Sequence, residues 1–172
     1  MVVLDAVTLS GTKVVIGDDE VEELKGKLRG RMILPGDDNY DEARAVWNAM
    51  IDRKPAIIVR CAGVSDVINS VNFARDNDLL LAVRGGGHSF AGNAVCDGGA
   101  VIDLSPMQGV WVDPVKQTAR AQPGVIWIDF DIETQAFGLA TTGGTNSDTG
   151  IAGLTLGGGH GWLGGKYGLT VD

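Results

Sequence analysis

The sequence predicts an α+β chain of two subdomains, a βαβ unit with parallel strands followed by a smaller unit with antiparallel strands. Three observations predict it. Strand-like, helix-like and strand-like segments follow one another between Ala56 and Arg84, and a unit of about thirty residues in that order pairs its strands in parallel. Past residue 105 the pattern becomes a hairpin and a helix. The 172 residues, 44% apolar with a net charge of −8, match an ordinary globular chain and exclude disorder as the main state.

Each element has its own justification. Asp18 and Asp19 precede Glu20–Arg29, where Val21, Leu24 and Leu28 share a face and acids come before bases, as a helix dipole favours. Pro35, Gly36, Asp37 and Asp38 interrupt the chain, and Ala43, Val46, Trp47 and Met50 then predict a second amphipathic helix over Asp41–Asp52. Ala56–Arg60 is a β-branched strand after Pro55; Ser65 is the expected cap of a helix running to Asp76 through Val67, Val71 and Ala74. Leu79–Arg84 and Ala100–Leu104 are two further apolar strands. Val110–Asp113 and Thr118–Gln122 flank a turn at Asp113 and Pro114, and a helix from Val125 to Phe137 ends at Gly138.

Charge and composition narrow the function. An acidic chain lacks the basic face that nucleic acid or anionic lipid requires, so neither is an expected partner. No apolar run reaches a membrane span and Met1–Ser10 lacks the pattern of a secretory leader, so a cytoplasmic location is expected. Cys61 and Cys96 read as buried thiols. Of 26 glycines only six precede position 85, and no fixed period links the rest, which disfavours repeat architectures. The segment Gly143–Asp172 holds eleven glycines and only three charges, Asp148, Lys166 and Asp172, and reads as apolar, flexible chain that is either wrapped around something or unfinished.

Arg84, Gly85, Gly86, Gly87, His88 and Ser89 follow a predicted strand. Successive glycines there let backbone N–H groups converge into an anion nest, with Arg84 adding a charge suited to phosphate; a plain tight turn needs glycines too. His88 and His160 each read as structural or chemical, and without nearby ligands at suitable spacing they make no metal site. Gly159, Gly161 and Gly164 meet the dinucleotide spacing, but Gly165 and Gly168 argue against the helix that motif needs. Gly165 and Lys166 lack both the leading glycine and the Ser or Thr of a phosphate loop, and no serine stands in a hydrolase elbow.

Taken together, Pro55–Arg60 with Ser65–Ala74, Val83–Ser89, Val101–Ser105, Gln122–Val125 and Gly150–Leu169 resemble the FAD-binding (PCMH-type) domain of berberine-bridge-enzyme-like FAD-linked oxidases, of the vanillyl-alcohol-oxidase superfamily. The likeness runs from about Met32 to Asp172. It implies residues 1–54 as a helical lead-in and 55–172 as the FAD-binding domain, with the second subdomain partly present and FAD between the two. It also implies that His88 attaches covalently to the 8α-methyl carbon of the flavin, a neutral imidazole being a competent nucleophile. Many relatives add a cysteinyl link two residues after a Gly-Gly pair matching Gly143 and Gly144; here that position is Asn146, so a single attachment is expected.

By the same resemblance Arg84–Ser89 contact pyrophosphate and flavin, and Gly143, Gly144, Thr145, Asp148, Thr149, Gly150, Gly153 and Leu154 form a loop along it. The implied activity is oxidation of a small alcohol, sugar or amine, with hydride passing to flavin N5 and then to dioxygen. Family members continue past this length into a substrate domain that supplies the catalytic base. The 172 residues are therefore expected to be a piece of a longer protein, with no catalytic residue of their own, inactive alone and prone to self-association. A flavin- or nucleotide-binding module without catalysis and an inert α+β domain are the alternatives.

Overall fold

A computed structural model describes residues 4–172 and divides the chain into two compact units, one built from the residues up to Arg84 with Ser89–Pro106, the other from Gly85–His88 with Met107–Asp172. The change of pattern expected near residue 105 falls at this division.

The first unit opens with β1 (Leu4–Val7) and β2 (Lys13–Ile16), an antiparallel hairpin, then α1 (Asp18–Lys27), β3 (Arg31–Ile33), α2 (Tyr40–Arg44), β4 (Ile57–Arg60), α3 (Val64–Asp76), β5 (Leu81–Arg84) and β6 (Ala100–Asp103). Four strands form one sheet in the order β3-β4-β6-β5, with β4 and β5 both parallel to β6 and β3 antiparallel at the edge. The two strands of the βαβ unit are thus parallel as expected, but β6 lies between them. Burial explains that placement: all four residues of β6 and Ile57, Ile58 and Val59 of β4 are buried, the continuous apolar character of central parallel strands. Ile33, Tyr40, Ala43, Ile58, Ala82 and Val101 join Val95 and Cys96 in one core cluster, while α3 packs against β6 and α1.

The lead-in before residue 55 is not only helical: it contributes the β1–β2 hairpin and β3, whose short, polar-flanked runs carry little periodicity. The second helix ends at Arg44 rather than Asp52, because Ala45 is extended, at φ −63° and ψ 136°. Arg44 then binds Asp41, Asp52 and the carbonyl of Arg53, tying the following loop back on itself. Trp47 and Met50 are exposed, so the apolar spacing there marks no buried face.

Ser65 does not cap α3. Gly63 is the N-cap residue and offers no side chain; instead Asp66, in the first turn and fully buried, accepts the N–H groups of Arg29, Gly30 and Ala62 at 2.8–2.9 Å. A Cβ on Gly30 would overlap the carbonyl oxygen of Arg60, so a glycine is what lets the β3 lead-in approach this close.

The second unit contains β7 (Val110–Asp113) and β8 (Thr118–Ala121), antiparallel as expected, then α4 (Trp127–Gln135), α5 (Ile151–Leu156) and α6 (Gly164–Tyr167). Asp113 Oδ1 accepts the N–H of Val115 and Lys116, which builds the turn from its own first residue. Helix α4 starts two residues later than the spacing suggests, because Ile126 is still extended and bridges Gly150. Val125, Trp127 and Phe130 form the core of this unit, with Val110, Ala121, Ile151 and Leu154 against them.

The stretch after Gly143 is more ordered than its composition suggests. It carries α5 and the single turn α6, which Gly168 ends at φ +84°. A helix does follow Gly164, contrary to expectation; at four residues it is one turn, not the long helix of a dinucleotide motif.

Candidate flavin site in the second unit

The site begins with a steric fact. A Cβ on Gly86 would lie 2.6 Å from the nitrogen and 2.7 Å from the Cα of Gly150; a Cβ on Gly150 would lie 2.6 Å from the nitrogen and 2.8 Å from the Cα of Gly86. Two backbones cross with nothing between them, and any side chain at either position drives them apart. Gly87, at φ +74°, then turns the chain in the region glycine favours. A Cβ on Gly85 would approach the carbonyl of Pro123 to 3.0 Å, so the glycine run is fitted on two sides.

The crossing decides which side chains meet. His88 lies two residues after Gly86 and Asp148 two before Gly150, and their Nε2 and Oδ2 atoms stand 3.9 Å apart. His88 is 21% exposed and Asp148 68%, so the imidazole is shielded and the carboxylate reaches it from the solvent side.

The other wall is a loop held to the start of α4. Trp127 and Ile128 donate their backbone N–H groups to Thr149 and Ser147, Ile151 donates to Val125, and Thr149 donates to Asn146. Gly143 and Gly144 lie flat on Trp127: a Cβ on Gly143 would meet its ring at 2.7 Å, and one on Gly144 would meet Leu154 Cδ1 at 2.5 Å. Gly161 packs on the backbone of Gly143 and Gly144 in the same way. The indole Nε1 of Trp127 is buried beside Gly144 and has no hydrogen-bond partner among the described residues.

The second unit therefore brings together Gly85, Gly86, Gly87, His88, Gly143, Gly144, Asp148, Thr149 and Gly150, while Thr145, next in the loop, is exposed. Leu154 turns its side chain into the core beside Trp127, and Gly153 has open space where a Cβ would stand. Arg84 and Ser89 belong to the first unit. Arg84 donates from Nη1 to the carbonyl of Ala43 at 2.7 Å, closing the end of α2, and Ser89 Oγ accepts the N–H of Asn93. Near Arg84, at the ends of the parallel strands, Asp103 pairs with Arg60 at 3.2 Å and accepts the N–H of Ser105.

Trp127 and Gly161 were not predictable as site residues, since neither a lone tryptophan nor one glycine among eleven stands out before the loop is seen folded. Cys61 and Cys96 are buried thiols in the first unit, and burial pushes each pKa up to about 11. Among the described residues no group of His, Cys, Asp and Glu has the arrangement of a metal site, and no helix is long and apolar enough to cross a membrane.

The residues fit a flat, partly anionic cofactor: a turn kept bare by glycines, a shielded imidazole at its end and, at the start of α4, a buried indole N–H with no partner among the described residues. Residues 55–172 match the model of a family described as an FAD binding domain. The chain is 40% identical over 145 residues to (R)-6-hydroxynicotine oxidase of Paenarthrobacter nicotinovorans, covering 84% of this chain and 32% of that protein. It is 38% identical to an uncharacterised FAD-linked oxidoreductase of Bacillus subtilis, over 86% of this chain and 33% of that one. The solved structure of Physcomitrella patens BBE-like 1 superposes with a TM-score of 0.83 at 28% identity, covering 88% of this chain and 34% of its own. The chain thus spans about a third of the length of the curated relatives it matches. On its family match, its identity to these relatives and its glycine-built site, it belongs to the FAD-binding domain family of the berberine-bridge-enzyme-like FAD-linked oxidoreductases.

Proposed function

We propose that this chain is the FAD-holding segment of an oxidase in which the flavin is attached covalently through His88. The observation that carries the reading is the crossing of Gly86 and Gly150, which fixes a shielded imidazole at the end of a turn whose backbone is bare of side chains. When bound, FAD supplies hydride acceptance at its N5 and electron transfer to dioxygen. The protein's part is to hold and orient: Gly85–Gly87 admit the cofactor to the backbone, Gly143 and Gly144 form a wall backed by Trp127 with Thr145 beside them in sequence, and His88 fixes the ring.

The attachment is single in this reading. Asn146 has no nucleophile comparable to a thiolate, and the two cysteines are buried, protonated thiols of the first unit. The substrate class is a small alcohol, sugar or amine; one relative is by name an oxidase of 6-hydroxynicotine. No residue of this segment is assigned as catalytic base, which in this reading comes from the further length the relatives possess.

The test is acid denaturation of the full-length gene product followed by a search for yellow, fluorescent chain. Flavin should stay on wild type, map to the peptide containing His88 and become fully extractable in His88→Ala. Flavin retained by His88→Ala, or mapped to Cys61 or Cys96, would overturn the assignment.

A further inference from the structure

We infer that Asp148 is a positioning residue for flavin attachment, holding the Nε2–H of His88 and accepting that proton as the new bond forms. The inference rests on the reading of His88 as the attachment residue. Its ground is the geometry: Oδ2 of Asp148 stands 3.9 Å from Nε2 of His88, in a stretch from Gly143 to Asp172 that has only two other charged side chains. Both of those are occupied. Asp172 accepts the N–H of Leu169 at 2.7 Å, and the Lys166 ammonium sits 4.8 Å from the Tyr167 ring centre. Asp148 is the carboxylate that the loop turns toward the imidazole, and the loop cannot shift without separating Gly150 from Gly86. A gap of 3.9 Å closes to a hydrogen bond by rotation of an exposed side chain, a tightening common when a site fills.

The chemistry asks for such a group. A neutral imidazole with its hydrogen on Nε2 carries its lone pair on Nδ1. Nδ1 would form the C–N bond to the 8α carbon with its lone pair, and the proton displaced from that carbon would pass to bulk water. The ring, now cationic, releases the Nε2 proton to the Asp148 carboxylate. The electron pair of the step stays on the flavin, which is left reduced by two electrons, and dioxygen reoxidises it with release of hydrogen peroxide. A carboxylate opposite Nε2 sets the tautomer beforehand and stabilises the charge as it develops.

The experiment uses the full-length gene product prepared without flavin. FAD is added, samples are quenched in acid at intervals, and covalent incorporation is read as flavin fluorescence of the denatured chain in a gel. Asp148→Asn, which keeps size but not charge, should slow the first-order attachment rate roughly a hundredfold, the lower range for a positioned proton acceptor. Asp148→Glu should recover most of the rate. In a His88→Ala background, Asp148→Asn should raise the dissociation constant of unattached FAD by at most about tenfold, well short of the loss in attachment rate, a split that a merely structural role would not give. Attachment of Asp148→Asn at the wild-type rate overturns the role of Asp148 alone. Loss of FAD binding in step with the rate makes the residue structural and overturns it as well. Absence of acid-stable flavin from wild type overturns both this inference and the attachment through His88.

Discussion

Gly86 and Gly150 show how little tolerance a single position can have. Alanine at either would require backbone atoms to move by several tenths of an ångström at contacts of 2.6–2.8 Å, and overpacking of this kind costs about 1–3 kcal/mol. Gly86→Ala and Gly150→Ala should each lower the urea midpoint of the full-length protein and reduce flavin loading. Gly153→Ala is the control: its Cβ meets nothing and it lies inside α5, so alanine should be neutral or stabilise by about 0.5–1 kcal/mol. Equal behaviour of all three would contradict the crossing.

Asp66 is the corresponding position in the first unit. Burial works to raise its pKa, but the N–H groups of Arg29, Ala62 and Gly30 outweigh it and the carboxyl is held below its ordinary value. A carboxylate with a depressed folded pKa contributes stability that is fully present above the unfolded value, near 3.8, and is lost as pH falls through the folded one. Asp66→Asn should therefore cost about 1–3 kcal/mol at neutral pH, since three backbone donors lose a charged acceptor. It should also flatten the fall in stability below about pH 4. Equilibrium unfolding of both proteins at pH 7 and pH 3 checks the sign: an unchanged pH slope would rule out this role.

At the scale of elements, the 143–150 loop and α4 fold as one piece because Trp127 serves both. Its ring is the floor for Gly143 and Gly144 and makes an edge contact with Phe130 at 5.6 Å between centroids, and its backbone N–H anchors Thr149. Trp127→Ala should cost about 3–5 kcal/mol, as expected for emptying a buried aromatic site. Trp127→Phe keeps most of the packing and removes the N–H that has no partner among the described residues. Its stability without FAD should fall less than that of the alanine variant, while its affinity for FAD should weaken if the donor serves the cofactor. Isothermal titration of unattached FAD in a His88→Ala background separates the two contributions.

At the scale of the whole chain, the exposed apolar side chains concentrate the prediction. Leu156 and Trp162 are 89% and 84% exposed, and Tyr167, Leu169 and Val171 are also open to solvent. Large apolar side chains gathered in one segment mark a surface that is covered in use, and the relatives have about twice as much further chain with which to cover it. The isolated 172 residues should self-associate at micromolar concentration despite the charge of −8. A sharp monomeric peak in size-exclusion chromatography with cooperative thermal unfolding would show that the surface is tolerated without a cover.

The sequence by itself determined the class of elements and the location of the glycine turn before His88, because both rest on local rules. A β-branched run such as Ile57–Arg60 is a strand wherever it is buried, and three glycines before His88 free the backbone whatever surrounds them. It misled where a local pattern was only partly used: Val46 packs against the core, but Trp47 and Met50 stay exposed, and the chain left the helix at Arg44. It was silent where a structure depends on distant atoms. That β6 enters between β4 and β5, that Asp66 caps a neighbouring segment 36 and 37 residues away, and that His88 meets Asp148 follow from close approaches between segments far apart in sequence. Only tertiary structure decides such pairs, because their energy comes from backbone contact and burial that no single stretch of sequence contains.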